Sequence, residues 1–76
     1  VSNYNGEFLC VLADPQGQLL EEIADPKMTR RQVALTYRLA TLEPGAVDWP
    51  VVNRAIVARW SVSALDWIKK TAWSPS

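Results

Sequence analysis

An α+β fold, with a small N-terminal β-hairpin packed on a mostly helical unit of three helices, is what this sequence predicts. Three observations carry that prediction. An apolar run at 7–13, EFLCVLA, ends in the turn-forming Asp14-Pro15-Gln16-Gly17. Thr29-Arg30-Arg31-Gln32 has the form of a capping box and opens a stretch of helical spacing. From Asp48 to Trp73 the chain gathers all four tryptophans, half of its basic residues and its clearest helical rhythm.

The elements follow in order. Residues 1–6 are polar and turn-prone and read as a frayed lead-in. The run at 7–13 reads as a strand, since Phe8, Cys10 and Leu12 share one face and Leu9, Val11 and Ala13 the other. Asp at i, proline at i+1 and glycine at i+3 suit a type I turn, which would return the chain through 18–23 and complete a hairpin over 7–23. Leu19, Leu20 and Ile23 in that return arm are also spaced for one helical turn. Asp25-Pro26 breaks the chain, and a helix over 29–42 follows, ended by Pro44-Gly45. On a helical wheel it shows two apolar stripes, Met28, Leu35, Leu39 and Leu42 against Val33, Tyr37 and Ala40, with Arg31 and Arg38 between them. A helix apolar on two sides is expected in the middle of the domain.

Asp48 is a good N-cap, and Pro50 is tolerated in a first turn because its missing N–H would be unbonded there. Trp49, Val52, Ile56 and Trp60 recur along one face, giving a helix over 48–60. Ser61-Val62-Ser63 interrupts it, and Ser63 with Asp66 repeats the cap-and-acid pattern, giving a third helix over 63–73. A single uninterrupted helix over 48–73 is the competing expectation. Residues 74–76 read as the start of a linker, and the chain as one small domain excised from a larger protein.

Composition narrows the function classes. At 76 residues the chain is one domain with a small core. It has no histidine and a single cysteine, Cys10, which removes Cys/His metal sites, internal disulfides and histidine bases. Ser61 and Ser63 have no general base, and no glycine-rich phosphate loop is present, so no enzyme activity, cofactor or metal is expected. No apolar run approaches the roughly 20 residues needed to span a bilayer. A small domain without disulfides fits an intracellular setting, cytoplasm or nucleus. The zero net charge hides a split, because residues 1–26 hold five acids and no base, whereas 27–76 hold eight bases against Glu43, Asp48 and Asp66. The two halves are expected to pack together and neutralise each other. The alternative is a basic surface aimed at an acidic partner or a nucleic acid.

The expected function is non-catalytic protein–protein interaction within a larger intracellular protein or complex. Trp73, Tyr37 and Lys70 are the candidate anchors, Trp73 because the wheel sets it among Asp66, Lys69 and Lys70. Trp49, Trp60 and Trp67 read as core or half-core fillers. The cluster Lys27, Arg30 and Arg31 reads as a solvated helix start. The rival is nucleic-acid binding, since IVARWSVSALDWIKK resembles the cadence of a helix-turn-helix, with Arg54, Arg59, Lys69 and Lys70 on phosphates. The resemblance departs from the motif where base readout would lie, because Ala64, Leu65, Ile68 and Ala72 form the natural buried stripe of the second helix. Homodimerisation through the hairpin edge is a third expectation.

Overall fold

The structure, a computed structural model, describes residues 14–73. They form four α-helices, α1 (Pro15–Ala24), α2 (Arg30–Ala40), α3 (Trp49–Arg59) and α4 (Val62–Trp73), with a single 3₁₀ turn at Pro44–Ala46 between α2 and α3. Among the described residues there is no strand. The expected α+β hairpin is therefore corrected to an all-helical arrangement, because its return arm, 18–23, lies inside α1. The expected strand at 7–13 lies outside the described residues.

The reason is a degeneracy in the turn sequence. The αR backbone of a type I turn is also that of a helix's first turn, so Asp14-Pro15-Gln16-Gly17 can start a helix as readily as reverse a strand. Here Asp14 is the N-cap, accepting the Gly17 N–H at 3.1 Å, and Pro15 occupies the first turn. A Cβ on residue 17 would collide with the Asp14 carboxylate, so glycine leaves room for the cap. Past the cap, QLLEEI is built from good helix formers, and burial of Leu19 and Ile23, four residues apart, fixes the helix.

The later helices begin close to where their caps predict. Thr29 and Gln32 form the capping box of α2, each side chain bonded to the other's backbone N–H. Asp48 caps α3 through the Val51 N–H. The chain from 48 to 73 is a pair of helices, not one. Trp60 leaves helical geometry at φ −116° and ψ −87°, and the Ser61 hydroxyl accepts the Ala64 N–H at 3.1 Å. The cap of α4 is thus Ser61 in place of the expected Ser63, and Asp66 pairs with Lys70 at 3.2 Å.

α2 packs against α1 and α4, and α3 packs against the same two helices. Leu19, Val33, Val52, Ile56 and Ile68 are the large side chains sealed at the centre. Of the two apolar stripes on α2, one is core: Val33, Ala34, Tyr37 and Ala40 are buried. The other is not. Leu35, Leu39 and Leu42 are 59%, 45% and 66% exposed, so α2 is not sandwiched on both sides as expected. Of the tryptophans expected as core or half-core fillers, Trp49 and Trp60 are half-buried and packed against the core, whereas Trp67 is 42% exposed.

Besides the Asp48 N–H donated to Gln16 Oε1, two larger polar devices tie α1 to the rest. The Glu22 carboxylate, buried beside α2, accepts from the Thr36 hydroxyl at 2.8 Å and from the Gln18 amide at 2.9 Å through Oε2, while Oε1 has no partner. From the end of α3, the Arg59 guanidinium donates to the carbonyls of Ile23 (3.0 Å), Pro26 (3.2 Å) and Met28 (3.1 Å). The last turn of α1 carries no basic residue. Arg59 supplies the missing cation from another helix, satisfying an end carbonyl and complementing the negative end of the dipole.

Candidate functional site

α4 separates two concave surfaces, and the 100° step between successive helical residues assigns its side chains to one or the other. Ala64, Ile68 and Ala72 point inward. Trp67, Lys70 and Thr71 flank them on the α2 side, and Lys69 and Trp73 on the opposite side.

The α2 side is an open groove of about 560 Å³. Its walls are Arg31, Leu35 and Arg38 from α2 and Trp67, Lys70 and Thr71 from α4, with Ala34 between them. At one end Arg30 lies over the Trp67 ring at 5.5 Å, a cation–π contact that leaves the indole partly accessible. Leu39 on α2 and Leu42 in the turn after it are also exposed. Lys70–Asp66 is the one ion pair among the described residues, so Arg30, Arg31 and Arg38 face solvent without carboxylate partners there. The acids of α1 do not neutralise the basic part of the chain by pairing. The buried one, Glu22, bonds Thr36 and Gln18 instead.

The opposite side is a smaller pocket of about 240 Å³. Tyr37, Trp49 and Trp73 give it three aromatic rings, and Thr41, Pro44, Asn53 and Lys69 complete it. The Tyr37 and Trp49 rings meet at 4.8 Å and 49°. The Tyr37 hydroxyl donates to Asn53 Oδ1 at 2.9 Å, and Trp49 Nε1 donates to the Pro44 carbonyl at 3.0 Å. Burial raises the Tyr37 hydroxyl above its usual pKa of 10.0, and the bond to Asn53 partly opposes the shift.

The anchors expected from sequence therefore divide. Trp73 and Tyr37 line one pocket, while Lys70 belongs to the groove on the other side. Tyr37 is only 3% exposed, so it forms a wall of its pocket and does not project as an anchor. The residues expected on phosphates divide as well. Arg54 is exposed on α3, Lys69 lines the pocket and Lys70 the groove. Arg59 is held by three carbonyls and stacked 4.3 Å from the Trp60 ring centre. The groove's own residues, Leu35, Trp67 and the arginines of α2, carried one signal in the sequence: Arg31 and Arg38 fall between the two apolar stripes.

No protein family model, curated protein or solved structure matches this chain. Among the described residues no cluster of three or more acidic, histidine or cysteine side chains could hold a metal ion, and no helix is long and apolar enough to cross a membrane.

Proposed function

We propose that this domain is a non-catalytic protein-binding module whose α2–α4 groove takes an acidic amphipathic helix from a partner. One observation carries the reading: on a single face, Leu35 and Trp67 remain exposed between Arg30, Arg31, Arg38 and Lys70. Contiguous apolar surface rimmed by polar groups is characteristic of interaction sites, and Trp and Arg are the residues most often found at binding hot spots. Leu35 and Leu39 stand four residues apart on α2, the spacing with which one helix packs against another, and Leu42 is exposed in the turn that follows. Of the four cations only Lys70 is paired with an acid, Asp66, among the described residues, so the complementary partner is acidic.

The experiment is calorimetric titration of the domain with a synthetic Leu/Glu amphipathic helical peptide at two salt concentrations. Trp67→Ala and Leu35→Ala should each weaken binding about tenfold, the usual scale for truncating an interface anchor, with little change in thermal stability. Absence of peptide binding at low salt would sink the reading. A duplex DNA arm tests the rival. Salt-sensitive binding to DNA that ignores Trp67→Ala would replace a protein partner with a phosphate backbone. Sedimentation of the unliganded domain at two concentrations tests whether the groove is instead covered by a second copy.

A further inference from the structure

We infer that the pocket formed by Tyr37, Trp49, Asn53, Lys69 and Trp73 is a second binding site, separate from the groove, and that it takes a flat aromatic ring bearing a carboxylate. The inference starts from the pocket's hydrogen-bonding inventory. Two of its acceptors are already used, since Asn53 Oδ1 receives the Tyr37 hydroxyl and the Pro44 carbonyl receives Trp49 Nε1. Two donors are left. With its oxygen engaged, the Asn53 amide keeps its NH₂ group, and the Lys69 ammonium has no carboxylate partner among the described residues. A site with two spare donors and a spare positive charge selects an anion that accepts hydrogen bonds.

The walls select the rest of the ligand. Three aromatic rings line the space, and the Tyr37–Trp49 pair at 4.8 Å and 49° forms an angled corner. Such surfaces favour a flat ring stacked or set edge-on against them. An aromatic pocket can also hold a quaternary cation, but the Lys69 charge opposes that here. A cavity of about 150 Å³ holds a benzene molecule, so the 240 Å³ pocket admits a bicyclic ring with a short acidic arm. Trp73, 63% exposed at the end of α4, forms the wall most open to solvent. The same chemistry is offered by a free aryl or indolyl carboxylic acid and by the C-terminal aromatic residue of a peptide.

The test uses indole-3-acetate as the free acid and Gly-Gly-Trp with a free C-terminal carboxylate as the peptide, each beside its neutral amide, followed by NMR on the isotope-labelled chain. Shifts are expected at the Asn53 side-chain amide and the Trp49 and Trp73 indole N–H groups, with Kd on the order of 1 mM or tighter for ligands this small. The amides should bind at least tenfold more weakly. Lys69→Gln should cost a similar factor and Lys70→Gln nothing, because the adjacent lysine faces the other side of α4. Trp73→Ala should abolish binding without unfolding the domain. Tighter binding of the peptide than of indole-3-acetate identifies a chain terminus as the natural ligand, and the reverse order a small acid. Equal binding of acid and amide, or equal losses in Lys69→Gln and Lys70→Gln, would overturn the site. Neither result bears on the groove, which shares no lining residue with the pocket.

Discussion

The two flanks of α4 are built from the same residue types and differ in what surrounds them. Each has a tryptophan and a lysine, Trp67 with Lys70 on one side and Trp73 with Lys69 on the other. On the α2 side the neighbours are arginines and an uncovered leucine, and the surface is broad, basic and open. On the other side they are Tyr37, Trp49, Pro44 and Asn53, and the surface is small and aromatic, with its hydrogen bonds largely prearranged. Residue identity alone does not assign a tryptophan or a lysine its role. Its angle on the helix and the partner helix that angle faces do so. Lys69 and Lys70 are adjacent in sequence and serve different surfaces.

The largest expected effect removes both surfaces together. Arg59 joins α3 to the end of α1 and to the loop that leads into α2. Hydrogen bonds to charged groups contribute about 1.5–3 kcal/mol. Arg59→Ala should therefore cost about 3 kcal/mol, a fall in melting temperature of roughly 12–24 °C for a domain of this size, measured by thermal denaturation. Arg59→Lys should recover little, because an ammonium cannot span three carbonyls as the planar guanidinium does. A melting temperature within a few degrees of the parent would show that the joint is dispensable.

A charge reversal should separate the flanks. Arg31→Glu combined with Arg38→Glu is expected to lower affinity for the acidic peptide about 100-fold, in keeping with the cost of placing like charges across an interface, and to leave binding of indole-3-acetate unchanged. Equal loss at both sites would mean that the two surfaces form one electrostatic unit.

A smaller effect lies on the far side of α2, where neither flank should feel it. Thr36→Val removes one of the two donors to the buried Glu22 carboxylate and should destabilise by about 1–3 kcal/mol, the cost of leaving a buried polar group under-bonded. Adding Glu22→Leu should recover most of that loss, since replacing both partners by apolar groups of similar shape is close to neutral. A chemical denaturation series of the two single variants and the double variant decides the matter.

The smallest effect at neutral pH is Tyr37→Phe, which deletes the bond to Asn53 and should cost about 1 kcal/mol. Its signature lies at alkaline pH. Burial raises the Tyr37 pKa, so above pH 10 the unfolded chain loses this proton while the folded chain keeps it. The folded state then binds more protons than the unfolded one, and stability falls as pH climbs from 10 through the folded-state value. That decline should be shallower in the phenylalanine variant.

What could be read along the chain was local. Thr29 with Gln32, and Asp48 with Pro50, announced their helices because a cap and its partners lie within one turn. The return arm of the expected hairpin is helical instead, because Asp14-Pro15-Gln16-Gly17 fits two structures equally well. What favours the helix, Leu19 in the core and Glu22 bonded to Thr36, depends on residues well removed in sequence. The same distance hid the fate of Arg59, whose carbonyl partners lie 31 to 36 residues away. On α2 the wheel showed both apolar stripes but could not show that only one would meet other helices. Exposure of Leu35 and Trp67, and with it the groove, is a property of the packed domain.

The placement of the four tryptophans has a practical consequence. Between them the indoles report on three different events through their fluorescence. Trp60, beneath the Arg59 guanidinium, senses the joint that holds α1. Trp67 lies in the groove, while Trp49 and Trp73 form the walls of the pocket. Variants that keep one tryptophan and replace the others with phenylalanine would turn the domain into its own set of probes. Filling of the groove, filling of the pocket and loss of the joint could then be followed separately in solution without an attached dye.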